Sequence, residues 1–279
     1  MSADLPAPLR EGARRPAASF TLVLSDVHGF PELIERALRS SGFREGIDRL
    51  VFAGDFLDRG ERAAECLERL DALGAKTLIG NHDQAIALGY WIGEQREASK
   101  AFRDLLLERL RTRRLDLVTS VDGVLISHAG LSRAFAADFD DLDRDPARLA
   151  ARLNDEYHAA VQGQLEHGRE MPEQRILDEW SPLRLRVDDA DGGPGRLLGN
   201  AEQIAGHTTP TVFRRWTEAE FRAAGLYAID PGTYGLGPGD RPRHYRHAVI
   251  RAGAVRVEAG TMEAGMPSPS RESVPPATR

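Results

Sequence analysis

The chain has 279 residues, 37 Lys plus Arg against 43 Asp plus Glu, a net charge of −6, and a single cysteine. The acidic balance disfavours general binding to nucleic acid or anionic lipid, and one thiol excludes an intrachain disulfide or a thiolate metal cluster. No apolar run approaches the roughly 20 residues that cross a bilayer, and the N-terminus lacks the apolar stretch of a secretory signal, so a soluble, cytoplasmic protein is expected.

In chain order, residues 1–19 carry prolines and little to bury, which predicts a disordered tail. FTLVLS (20–25), RLVFAG (49–54), KTLIG (76–80), GVLIS (123–127), EQIAG (202–206) and GLYAID (225–230) are short, rich in aliphatic residues, and stop at Gly, Ser or Asp, as buried strands do. Helical spacing fills the gaps at 31–43, where Pro31 suits the first turn, and at 62–74, where Gly74 suits the cap and Cys66 falls on the apolar side. Tyr90 and Trp91 are expected to pack, and 95–114 predicts a longer helix with a solvated charged face. Residues 131–200 break the alternation. Their helical pattern (145–168) and Gly- and Pro-rich connections predict a mainly helical, cap-like insertion over one face of the core. RHAVIRAGAVRVEAG (246–260) predicts a hairpin turning near Ala252-Gly253, and 263–279 a second disordered tail. One α/β domain over 20–262 follows, with two layers of sheet between helices.

The residues after each strand are the informative ones. Asp26 and His28 follow the first; Asp55, Asp58 and Arg59 the second; Asn81, His82 and Asp83 the third; His128 the fourth; His207 the fifth. Ligands of open α/β sheets bind outside the carboxyl ends of strands, so these side chains are expected to converge. Carboxylate, imidazole and amide without thiolate suit Mn, Fe, Zn, Co or Ni. GDFLDRG (54–60) matches GDxxDRG, five fixed positions met by chance about once in a million starts. A lone Asp or His at a strand end is an ordinary turn former. Here Asp-Val-His-Gly (26–29), Gly-Asn-His-Asp (80–83), His-Ala-Gly (128–130) and Gly-His-Thr (206–208) stand with it in order. His158, His167, His244 and His247 lack such context and are read as surface or packing residues.

This ordered set resembles the calcineurin-like metallophosphoesterases, and among them the phosphoprotein-phosphatase type with GDxHG, GDxxDRG, GNH[ED] and HGG blocks. The resemblance spans roughly 20–260. It implies a four-layer α/β/β/α sandwich of two mixed sheets flanked by helices, and a centre of two divalent metal ions, manganese first. Asp26 and His28 would hold one ion, Asn81, His128 and His207 the other, and Asp55 would bridge them. His82, paired with Asp58, would be the general acid, and Arg59 and the Asn81 amide would meet the phosphate. The implied function is a phosphatase that hydrolyses phosphomonoesters by in-line attack of a metal-bridging hydroxide, on phosphoserine or phosphothreonine proteins or on small metabolites. The alternative is a dinucleoside polyphosphate (diadenosine tetraphosphate) hydrolase. A catalytically silent phosphate-binding scaffold would predict loss of His82, Asp58 or a metal ligand, and all are retained.

Ser25 and Ala129 replace family glycines, Asp83 takes the Glu place, and Ile79 stands where eukaryotic protein phosphatases carry Arg. TLIGNHD resembles the bacterial branch, which includes the symmetrical diadenosine-tetraphosphate hydrolases. Relatives also carry a Trp-Ser element and a second phosphate-binding Arg near Glu-Trp-Ser-Pro (179–182). Among Arg175, Arg184 and Arg186, Arg184 is the candidate. Asp230-Pro231-Gly232-Thr233 resembles the family's closing Asp-x-Gly turn and is read as support for the site, with Tyr234 at the cleft.

Overall fold

The computed structural model describes residues 20–93, 96–132, 135, 145–167, 176, 182–185, 201–213 and 215–262. Both predicted tails, most of the 131–200 insertion, Arg175, Arg186 and the Glu-Trp-Ser of 179–181 lie outside the described residues. The chain runs β1 (Thr21–Leu24), α1 (Pro31–Ser41), β2 (Arg49–Phe52), α2 (Ala63–Ala72), β3 (Lys76–Leu78), α3 (Asn81–Leu88), a 3-10 turn (Glu97–Phe102) and α4 (Arg103–Arg111). Then come β4 (Leu115–Asp116), β5 (Val118–Val121), β6 (Val124–Ser127), α5 (Pro146–His167) and β7 (Gln203–Ala205). The last elements are α6 (Glu218–Ala223), β8 (Leu226–Ala228), β9 (His244–Arg251) and β10 (Ala254–Thr261).

Two mixed sheets result, ordered β10-β9-β1-β2-β3-β4 and β5-β6-β7-β8. β1 through β4 are parallel, as are β6 through β8. Alternation along each strand explains the layers. Val23, Val51, Leu78, Ala248 and Ile250 of the first sheet meet Val124, Ile126 and Ile204 of the second. Leu22, Leu24, Leu50 and Phe52 point the other way, onto Ile34 and Leu38 of α1 and Leu67 and Leu70 of α2. Outside the second sheet, Leu125 shares a cluster with Leu149, Leu153 and Tyr157 of α5, and Ala205 and Leu226 with Phe221 of α6. Strands buried on both faces read as unbroken apolar runs, and each such side chain contributes about 1.5–3 kcal/mol.

Six strand predictions fall on β1, β2, β3, β6, β7 and β8, and the hairpin turns as expected, with positive φ at Ala252 (49°) and Gly253 (81°) matching the twist of its strands. Helix α5, the described helix of residues 131–200, packs on β5 and β6 as a flanking layer of the core.

Three readings need correction. The 95–114 helix divides into a 3-10 turn and α4, and α4 buries Leu106, Leu107 and Leu110, so it is half core. Trp91 is 57% exposed, with the Lys100 ammonium 5.6 Å from its ring, so it does not pack inside. Helix α3 was unforeseen, as were β4, β5 and α6. Tyr90 is half-buried. His158 bonds Asp116 at 3.0 Å and His247 is buried 3.3 Å from Glu258, while His167 and His244 are exposed. Cys66 is buried, which pushes its thiol up. Among the described residues no helix is long and apolar enough to cross a membrane.

Candidate metal centre

The turns after β1, β2, β3, β6 and β7 bring Asp26, His28, Asp55, Asn81, His82, His128 and His207 around one centre. Asp55 lies in the middle: its Oδ2 is 3.4 Å from His28 Nε2 and 3.5 Å from His128 Nε2. Asp26 Oδ1 stands 4.0 Å from His28 Nε2, and Asp26 Oδ2 accepts the backbone N–H of His207 at 3.0 Å. The His207 ring is 5.0 Å from that of His128. Ligand atoms of His28, Asp55 and His82 lie within 4.8 Å of one another, as do those of Asp26, Asp55 and His128, so Asp55 belongs to both groups.

The tautomers fit a cation. His28 Nδ1 is 2.6 Å from the Leu57 carbonyl and His128 Nδ1 is 2.9 Å from the Ala53 carbonyl. A carbonyl only accepts, so each Nδ1 carries a proton and each Nε2 is the nitrogen turned toward the centre, the usual orientation of a ligating imidazole. Nε2 of His28 is buried and has no hydrogen-bond partner. Nε2 of His128 faces Asn81 Oδ1 at 2.9 Å and Asp55 Oδ2 at 3.5 Å, so imidazole, amide and carboxylate meet at one point. Burial, then the Arg59 and His82 charges, holds the His28 imidazole well below its usual pKa and so neutral. Burial pushes Asp55 well above the carboxylate range against the pull of His82, with Asp83 and Asp26 adding repulsion. Asp230, buried beside Asp26, is raised to about 7. Crowded carboxylates of this kind favour a positive charge among them.

The backbone is bent hard to achieve this. Among the described residues nine non-glycines have positive φ, and Asp26, His28, Asp55, Asp58, Arg59 and His207 are six of them. Each costs on the order of 1 kcal/mol or more, a cost concentrated at functional sites. Two glycines make room for the carboxylates: a Cβ on Gly80 would stand 2.0 Å from Asp55 Oδ1, and one on Gly206 would stand 2.1 Å from Asp26 Oδ2.

Beside the centre, His82 Nδ1 bonds Asp58 Oδ2 at 2.7 Å, leaving Nε2 as its other nitrogen. Asp58 Oδ1 accepts the backbone N–H of Arg96 at 3.1 Å, and the Arg96 guanidinium donates to the Gly60 carbonyl at 2.6 Å. Arg59 is half-buried and donates from Nη1 to Thr233 Oγ1 at 2.8 Å. Arg184 donates to the Tyr90 hydroxyl at 2.7 Å, with its guanidinium 5.2 Å from the Tyr90 ring. Its segment does touch the centre's rim, since Ala129 N–H donates to the Pro182 carbonyl at 2.7 Å.

Sequence reasoning missed the work of Asp83, Arg96 and Thr233. Asp83 was visible as part of the GNH[ED] block, and Thr233 as part of the closing turn. Nothing in the sequence points to Arg96, whose partners are a remote carboxylate and a backbone carbonyl.

The chain matches the calcineurin-like phosphoesterase family over residues 21–224 and belongs to that family. Among curated proteins it is similar to the symmetrical bis(5'-nucleosyl)-tetraphosphatase of Vibrio cholerae, 30% identical over 120 residues, 39% of this chain and 44% of that one. The protein of the same description from Methylococcus capsulatus is 36% identical over 127 residues, 41% of this chain and 44% of that one. The match thus spans less than half the length of these relatives. A mutant cold-active protein tyrosine phosphatase shares the fold, with a TM-score of 0.57 and 16% identity over 88% of this chain and 80% of that one. So does a protein serine/threonine phosphatase from Saccharomyces cerevisiae, with a TM-score of 0.55 and 17% identity over 90% and 82%.

Proposed function

We propose that the chain is a phosphatase that uses two divalent metal ions, manganese first among Mn, Fe, Zn, Co and Ni, to hydrolyse phosphomonoesters. The observation that carries this reading is the Asp55 carboxylate between Nε2 of His28 and Nε2 of His128, at 3.4 and 3.5 Å. In this reading Asp26 and His28 would hold one ion, Asn81, His128 and His207 the other, and Asp55 would be shared between them. Bound there, such a pair supplies Lewis acidity and a nucleophile at neutral pH.

The chain's own groups do the rest. The planar fork of Arg59 binds phosphoryl oxygens as they gain charge, with the Asn81 amide N–H beside it. His82 delivers a proton from Nε2 to the departing alkoxide, and Asp58 at 2.7 Å from Nδ1 holds the ring in place for that transfer. Arg184 is a second phosphate contact, supported by the tie of its segment to Ala129. The catalytic domain is 20–262, with 131–200 as its insertion. The single buried cysteine supports a reducing, cytoplasmic setting.

Phosphoserine or phosphothreonine peptides and small phosphorylated metabolites are the substrates of this reading. A second reading, hydrolysis of a dinucleoside polyphosphate, is favoured by the relatives described as tetraphosphatases and by the Tyr234 ring, 75% exposed and 5.8 Å from the Arg59 guanidinium, on which a base can stack. The test is to strip the protein of metal, restore Mn, Fe, Zn or Mg, and compare rates on a phosphopeptide, p-nitrophenyl phosphate and diadenosine tetraphosphate. Metal-dependent turnover led by the first two supports the monoester reading, and turnover led by the third supports the other. No hydrolysis with any ion refutes both.

A further inference from the structure

We infer that Thr233 is a positioning residue that sets the Arg59 guanidinium; this rests on the reading in which Arg59 binds the phosphoryl group. Arg59 leaves a turn with φ of 53° on a long side chain whose many rotamers oppose any single placement. A phosphate-binding fork loses less entropy on binding if it is held beforehand. Thr233 does the holding. Its hydroxyl accepts from Arg59 Nη1 at 2.8 Å, although 174 residues separate the two in sequence.

The direction of these bonds is forced. A guanidinium only donates, so the Thr233 hydroxyl uses a lone pair toward Arg59 and keeps its own proton for another acceptor. That acceptor is the backbone carbonyl of Asp26, 3.4 Å away. Thr233 is therefore a strut between Arg59 and the turn that carries Asp26 and His28. The strut is stiff: Thr233 is 1% exposed, β-branched, and follows a turn closed by the Gly232 N–H on Asp230 Oδ1 at 2.7 Å. The next residue, Tyr234, presents its ring to the same guanidinium at 5.8 Å, so adjacent side chains meet Arg59 from Thr233's hydroxyl and Tyr234's π-face.

Thr233→Val keeps the shape and removes the hydroxyl, and Thr233→Ser keeps the hydroxyl. The full chain loaded with manganese is the test material. In a crystal structure of Thr233→Val the Arg59 guanidinium should leave its place, and in Thr233→Ser it should stay. On p-nitrophenyl phosphate, Thr233→Val should raise KM, and the inhibition constant of inorganic phosphate, by about tenfold with a smaller change in kcat, while Thr233→Ser stays near wild type. In an Arg59→Ala background the same Val substitution should change KM less than twofold, because the strut has nothing left to hold. An unmoved Arg59 in the variant structure, or an equal rise in KM in both backgrounds, overturns the inference. Should the wild type hydrolyse nothing, the proposed function fails on its own account, and the position of Arg59 in the two variant structures still decides whether Thr233 sets it.

Discussion

The Asp83 carboxylate accepts the backbone N–H of Asp55 at 2.8 Å, and the same oxygen accepts the N–H of Gly80 at 3.1 Å. Its other oxygen takes the N–H of Leu57 at 3.3 Å. One buried side chain thus ties the turn after β2 to the turn after β3, the two that present Asp55 and Asn81. Burial raises its carboxyl to about 6 even with these donors around it. Asp83→Ala leaves three buried donors without their acceptor, and we expect a loss of about 2–4 kcal/mol in chemical denaturation. A loss under about 0.5 kcal/mol, the range of an ordinary surface change, would show that the tie is dispensable.

His82 is held by Asp58 and has no role in the ligand set proposed above. His82→Ala should therefore keep its metal while losing on the order of 10²–10⁴ in turnover on an alkyl phosphate with a poor leaving group. On p-nitrophenyl phosphate, whose leaving group needs no proton, the loss should be far smaller. Equal losses on both substrates would remove His82 as the leaving-group acid.

Gly80 has φ −100° and ψ 171°, extended backbone that any residue adopts, so its need for glycine is a matter of space alone. Gly80→Ala places a methyl 2.0 Å from Asp55 Oδ1 and must displace that carboxylate. We expect manganese affinity to fall about 10–100-fold, the cost of disturbing a ligand's support, by titration of the metal-stripped protein. Wild-type affinity in the variant would contradict the placement of Asp55 as a ligand.

Away from the site, Asp48 gives a pH signature. Burial raises its carboxyl, but donors from the Arg44 side chain at 3.0 and 2.9 Å and the backbone N–H groups of Arg44 and Phe20 outweigh it, leaving a pKa below the usual range. A carboxyl depressed on folding contributes stability above its unfolded pKa of about 3.9, and that contribution is lost as pH falls through the folded value. Asp48→Asn should cost about 1–3 kcal/mol at pH 7, and the gap from wild type should narrow below pH 4. A gap that stays constant down to pH 2.5 would mean the charge on Asp48 is immaterial.

The strands were legible because both their faces are buried, so apolar residues run without interruption from Leu22 to Leu24 or from Leu50 to Phe52. Helix α3 was not, because it begins on the site itself: Asn81, His82, Asp83 and Gln84 are all buried and polar, which erases the amphipathic stripe. The same division holds at the centre. Side chains in spaced motifs announced themselves, whereas Asp83, Arg96 and Thr233 act through backbone groups or a partner far along the chain. The left-handed backbone at His28 and Arg59 likewise has no signature in residue type.

The proposed metal centre stands or falls with Asp55 as the ligand shared by two ions. The direct measurement is anomalous diffraction, with elemental analysis, on manganese-loaded wild type and Asp55→Asn. We expect two ions per chain about 3.5–4 Å apart with the Asp55 carboxylate between them, and loss of both in the variant. A single ion in the wild type, or two ions retained without the carboxylate, would contradict it.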